Sequence, residues 1–148
     1  PSAHLRVVGD GSLKAMLAAR HSLLLEAGKV TFVGALPHGE VLREMLRADI
    51  FCGLSRSEAL GNVFLEAQAC GCAVLATDVG GIPDIILDEK TGILIEPDHK
   101  QVAAAALERL LEDEQLRVRL GAAAQQHAAQ YDWSVIAGRY GVLYAEVL

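Results

Sequence analysis

The sequence predicts an α/β domain: a Rossmann-like parallel sheet with helices on both faces, followed by a helical C-terminal segment. Three observations predict it. Five short apolar runs rich in branched residues alternate with helical patterns, the signature of strand–helix–strand crossovers. Those runs are too apolar to leave one face wet, which implies a sheet covered on both sides. From Asp98 onward the pattern is purely helical.

Taken in order, strands are expected at residues 5–8, 30–33, 50–54, 74–77 and 92–95, each short, apolar and bounded by turn-forming residues. After the first, Leu13, Met16, Leu17 and Leu24 fall on one face of a single helix that Gly28 would end. Shorter helices are expected around residues 40–47, 62–70 and 83–87. Asp98 followed by Gln101 resembles a capping box, and Val102, Ala106, Leu107, Leu110 and Leu111 form an apolar stripe behind it. A further helix spans 114–130, Tyr131-Asp132-Trp133-Ser134 interrupts it, and a last helix runs to Leu148.

A chain of 148 residues with 52% hydrophobic residues is one domain with a real core. Nineteen acidic against thirteen basic residues give a net charge of −6, so nucleic acid is not expected as a partner. No apolar run approaches the ~18 residues of a membrane span, and no signal-peptide pattern opens the chain. Cys52, Cys70 and Cys72 make an odd, sparse set, unlike a secreted disulfide framework. A soluble, cytoplasmic domain is expected.

In parallel α/β folds ligands bind at the carboxyl ends of strands, so the strand-to-loop junctions carry the chemistry. Gly9-Asp10-Gly11 is a glycine turn between strand and helix; position 14, where a dinucleotide fingerprint wants glycine, is Lys14. A plain tight turn is the better reading, since a bare G-x-G is weak evidence, and the junction at Gly34-Ala35-Leu36 is bland by itself. The informative junction is Ser55-Arg56-Ser57-Glu58-Ala59-Leu60-Gly61-Asn62-Val63-Phe64-Leu65-Glu66. A polar loop here runs into a helix near Gly61, where the free amides of Leu60 to Val63 would face an anion. Glu58 stands just before that helix and Glu66 more than a turn inside it. Carboxylates suit sugar hydroxyls and helix amides suit phosphate, so the spacing fits an extended ligand with hydroxyls at both ends and a diphosphate between. The bland alternative is a helix-start acid and a solvated glutamate. A double glycine, Gly80-Gly81, marks the fourth junction and permits close approach of a ligand or merely a sharp turn.

Other chemistries fail on inspection. The stretch Gly53-Leu54-Ser55-Arg56-Ser57 lacks the closing glycine of a nucleophile elbow. Cys70-Gly71-Cys72 has no second ligand pair, and the five histidines show no i,i+4 pairing, so no metal site is expected. No phosphate-binding loop of the G-x-x-x-x-G-K-[ST] form exists.

Ser57-Glu58-Ala59-Leu60-Gly61 with Leu65-Glu66-Ala67-Gln68-Ala69-Cys70-Gly71 resembles the E-x7-E signature of retaining GT-B glycosyltransferases of family four, also called group 1. The resemblance continues through Val74 to Asp84, through Asp88-Glu89-Lys90-Thr91-Gly92-Ile93-Leu94-Ile95, and ends in Tyr131-Asp132-Trp133-Ser134. It implies that residues 1–148 are the C-terminal, donor-binding half of a GT-B enzyme, without its first strand–helix unit and without the N-terminal acceptor domain. It implies that Glu58 is the catalytic residue, at the donor sugar's hydroxyls, and that Glu66 holds the ribose hydroxyls. It places the amides of Leu60, Gly61 and Asn62 on the phosphates and sugar, the backbone near Leu36 against the base, and Gly9, Gly11, Gly80 and Gly81 along the cleft. The implied ligand is a UDP-, GDP- or ADP-sugar, bound without cofactor or metal, its sugar passing to a glycan or lipid acceptor with retention of configuration. The full-length enzyme would sit in the cytoplasm or peripherally at a membrane, and the uncovered last helix would favour self-association.

Family members carry an Arg and a Lys aimed at the diphosphate on the segment absent here; Arg56 lies near the motif without clearly replacing them. Asp84 stands where the family commonly has Glu. The same residues would also serve a non-catalytic nucleotide-sugar-binding module or partner subunit, or a GT-B-fold nucleotide-sugar epimerase.

Overall fold

The structure, a computed structural model, describes residues 3–147. The expected domain over 1–148 and the expected helix end at Leu148 extend outside the described residues. The chain divides into two compact units, one up to Glu44 and one from Met45.

In the first unit, β1 (Leu5–Val8) and β2 (Val30–Gly34) pair in parallel, Leu5 opposite Val30, with an irregularity between Val7 and Val8. The single helix expected between them is two: α1 (Lys14–Arg20) and α2 (Ser22–Glu26). His21 leaves helical geometry at φ −118°, ψ 28°, and its N–H closes α1 on Leu17 O at 3.1 Å. The expected apolar face is correspondingly open: Leu13, Met16 and Leu24 are exposed and only Leu17 is half-buried. Gly28, at φ +63°, does end the segment, because the left-handed conformation it adopts is nearly free only for glycine. Helix α3 (His38–Met45) follows β2.

The second unit holds a parallel three-stranded sheet in the order β3–β4–β5: Ile50–Gly53, Ala73–Thr77 and Ile93–Ile95. The predicted parallel α/β class is therefore present, as a two-stranded and a three-stranded sheet. Apolar runs announce that strands exist; they do not encode which edges pair. All five residues of β4 are buried, as expected for the central strand of a sheet covered on both faces. Ala73 and Leu75 face Leu110 of α6 (Lys100–Glu112) and Leu116 and Leu120 of α7 (Glu114–Ala128). On the opposite face Phe64 of α4 (Asn62–Ala69) stacks edge-on against Phe51, ring centroids 5.5 Å apart, and lies over Gly53. Gly53 has to be glycine: a Cβ there would sit 2.4 Å from the Phe64 ring.

Helix α5 (Ile82–Ile85) starts after the double glycine. Gln68 of α4, wholly buried, donates its side-chain N–H to Ile85 O at 2.9 Å and ties the two helices together. The capping box expected at Asp98 does not form. Asp98 is left-handed, φ +62°, and α6 begins two residues later behind His99 with no side-chain cap. The Asp98 carboxylate instead accepts from Arg56 Nε at 2.9 Å. Asp113 is the acid that caps, accepting from Leu116 N at 2.8 Å at the start of α7. A 3-10 turn, Ala129–Tyr131, breaks the helices as expected, and Asp132 accepts from Ser134 N at the entrance to α8 (Trp133–Val147). Helix α8 buries none of its residues.

Candidate functional site

In the second unit the carboxyl ends of β3 and β4 run into two loops that fold onto each other. The first, residues 54–61, carries Glu58 and enters α4. The second, residues 78–81, leads into α5. Their contact is backbone against backbone. Gly81 N donates to Ala59 O at 2.9 Å, and Gly80, at φ +55°, lies so close to the Glu58 carbonyl that a Cβ would come within 1.8 Å of its oxygen. A Cβ on Gly81 would come within 2.5 Å of Ala59 O. The double glycine read from the sequence as permitting close approach is thus filled by the neighbouring loop of this same chain.

Gly61 is the N-cap of α4, left-handed at φ +84°, with no side chain capping the helix. A Cβ there would press on Phe64 at 2.7 Å and on Glu58 Cγ at 3.2 Å, so Gly61 and the Glu58 side chain lie directly together. Helix α4 leaves its first amides without intrahelical partners, and Phe64 N, donating to Gly61 O at 2.9 Å, is where its hydrogen bonding starts. Leu60 and Asn62 flank this point, both exposed. The half-buried Glu58 carboxylate accepts from Ala59 N at 3.3 Å, one of the several hydrogen bonds a carboxylate can accept. Glu66 lies on the same helix, half-buried, and its carboxylate is one cause of a raised Cys70 thiol pKa, after burial. The structure therefore brings together Glu58, Leu60, Gly61, Asn62, Gly80 and Gly81, with Glu66 one turn further along α4.

Arg56 does not point its charge at this loop unopposed. Its pair with Asp98 closes one side of a cleft of about 200 Å³ lined also by Leu54, Thr77, Ile95 and Lys100. Among the described residues no group of three or more His, Cys, Asp or Glu is arranged to hold a metal ion.

The first unit holds the other predicted residues. Gly9, at φ +125°, donates its N–H to Gly34 O at 2.8 Å, and Gly11 N donates to Asp10 Oδ1 at 2.8 Å. Both line a cleft of about 380 Å³ with Ser12, Leu13, Leu17 and Phe32. Lys14, noted in the sequence only for not being glycine, lines the same cleft, its ammonium 2.9 Å from Asp10. Its signal was the (i, i+4) spacing from Asp10. Leu36 is half-buried in the loop after β2.

A parallel α/β unit whose strand ends carry a glycine-capped helix start and an adjacent carboxylate is the frame of a ligand-binding domain of the nucleotide-binding kind. The family model for glycosyl transferases group 1 matches residues 1–127, and the chain belongs to that family. It is 36% identical over 154 residues to the D-inositol 3-phosphate glycosyltransferase of Corynebacterium aurimucosum, covering 100% of this chain and 37% of that protein. Among solved structures, the C-terminal domain of the group 1 glycosyl transferase LpcC from Francisella tularensis matches with TM-score 0.70 and 30% identity, over 80% of this chain and 61% of that one. Anabaena HepE, solved in complex with UDP and glucose, shares the fold at TM-score 0.80 and 24% identity, over 100% of this chain and 41% of its own. The chain thus spans well under half the length of the whole glycosyltransferases it matches.

Proposed function

We propose that this chain is the greater part of the C-terminal, donor-binding domain of a retaining glycosyltransferase. The observation that carries the proposal is the junction of Glu58, the uncapped α4 start at Gly61 and the Gly80–Gly81 loop at the strand carboxyl ends. Glu58 accepts hydrogen bonds from donor-sugar hydroxyls beside the anomeric carbon. The amides of Leu60, Gly61 and Asn62 receive the diphosphate, where fixed dipoles stabilise the charge that develops on the leaving group. Glu66, further along α4, accepts from the ribose. A nucleotide diphosphate sugar with a UDP, GDP or ADP moiety is the ligand class, and HepE holding UDP and glucose in the same fold supports it.

The family match and the LpcC C-terminal domain support placing an acceptor-binding domain and a first strand–helix unit ahead of this segment in the full-length enzyme. Among the described residues β1 pairs only with β2 and β3 only with β4, so each offers a free edge to a preceding strand. Acidic charge and three free cysteines support a cytoplasmic setting; no helix among the described residues is long and apolar enough to cross a membrane.

The test compares a nucleotide diphosphate with its sugar conjugate. The wild-type chain should bind the conjugate more tightly, and Glu58→Gln should erase most of that difference while keeping affinity for the bare nucleotide. The loss expected for a charge-assisted hydrogen bond is about 1.5–3 kcal/mol. A Glu58→Gln variant that still discriminates fully would remove Glu58 from the sugar subsite.

A further inference from the structure

The loop that carries Glu58 is held at three points by the end of β4 and the segment that follows it. Two of them are the glycine contacts already described, Gly80 against the Glu58 carbonyl and Gly81 N on Ala59 O. The third is made by a side chain. The β3–β4 ladder ends at the Gly53–Ala76 pair, and beyond it the chain after β3 turns away toward Glu58. Thr77 is still paired with Ile95 of β5 and only 3% exposed. Its hydroxyl reaches across the diverging strands and donates to Ser55 O at 2.6 Å.

We infer that Thr77 is a positioning residue for the candidate donor site: its hydroxyl anchors the 55–61 loop to β4 so that Glu58 and the α4 amides are presented together. The inference rests on the function proposed above. Thr77 touches no ligand in this account and acts through Ser55. The two glycine contacts are set by backbone shape, whereas the Thr77 bond is the one that a side-chain change can withdraw without adding bulk. Valine has nearly the same shape and no donor; serine keeps the donor and loses a methyl group.

The experiment titrates the wild-type chain, Thr77→Val and Thr77→Ser with UDP, GDP and ADP by calorimetry, and follows amide hydrogen exchange over residues 55–61. With the anchor gone, Thr77→Val should bind the preferred nucleotide about tenfold more weakly, the worth of one hydrogen bond. Exchange should quicken over 55–61 and stay unchanged in β4 and β5. Thr77→Ser should restore both readouts to near wild type. A folded Thr77→Val with wild-type affinity and wild-type exchange overturns the inference and leaves the functional reading intact. So does a variant that loses only thermal stability, since that is a structural role alone. If Thr77→Val does not fold, Thr77→Cys, with its weak donor of similar size, takes its place under the same criteria. A wild-type chain that binds none of the three nucleotides overturns the functional reading and this inference with it.

Discussion

Gly80 shows how a single residue can matter through what it lacks. Its left-handed backbone and the Glu58 carbonyl pressed against its Cα leave no room for a methyl group. Gly80→Ala should cost about 2–4 kcal/mol, strain and steric displacement together, and erase the preference for the sugar conjugate over the bare nucleotide by pushing Glu58 away; thermal melts and paired titrations with a nucleotide and its conjugate check both. Cys72 makes the opposite case, a reactive group made inert. Its Sγ–H donates to Met45 O at 3.2 Å, and burial, aided by Cys70, pushes the thiol up to about 11. Because the folded thiol holds its proton more tightly than the unfolded one, its contribution is complete below the ordinary thiol range and is lost as pH rises toward that value. Cys72 should therefore be silent toward a thiol reagent at pH 8 in the native chain and react once urea unfolds it. Part of the local geometry was legible in advance: type and spacing singled out Glu58, Gly61 and Glu66, and Glu58 does lie against Gly61 at the start of α4. What the double glycine faces was not, because a backbone contact between residues 22 positions apart leaves no mark on the side chains.

Elements reveal a different balance. Helix α4 was read to within a residue because its start is punctuated by Gly61 and its end by Gly71, each left-handed. The entrance to α6 was misread because Asp98 has two uses for its carboxylate, capping and pairing with Arg56, and only the tertiary structure chooses between them. The long α1 failed for want of any breaker residue at His21 that sequence could flag. Two glycines in later helices separate packing from propensity. In α7, a Cβ on Gly121 would come within 2.2 Å of Gly71 O, so α7 can lie against the end of α4 only with glycine there. Gly121→Ala should lower stability by about 1–3 kcal/mol. Gly138 in α8 has open space around it, so Gly138→Ala should raise stability by about 0.5–1 kcal/mol through helix propensity alone. Urea denaturation of both variants checks the opposite signs.

On the scale of the whole molecule, the parallel α/β class and its helical tail were legible from periodicity, while the division into two sheets was not. Helix α8 leaves Trp133, Val142, Leu143, Tyr144 and Val147 exposed, a run of apolar surface at the end of the chain. Concentration-dependent sedimentation should report self-association that Leu143→Glu weakens, and a chain monomeric at all concentrations would contradict it. The central claim is that the α4 junction holds a nucleotide diphosphate. Its most direct measurement is calorimetric titration of the wild-type chain and Glu66→Ala with UDP, GDP and ADP. The account predicts that at least one nucleotide binds and that Glu66→Ala weakens it by about tenfold or more, the worth of a charge-assisted hydrogen bond to the ribose. No binding by the wild-type chain, or equal affinity in the variant, would contradict it.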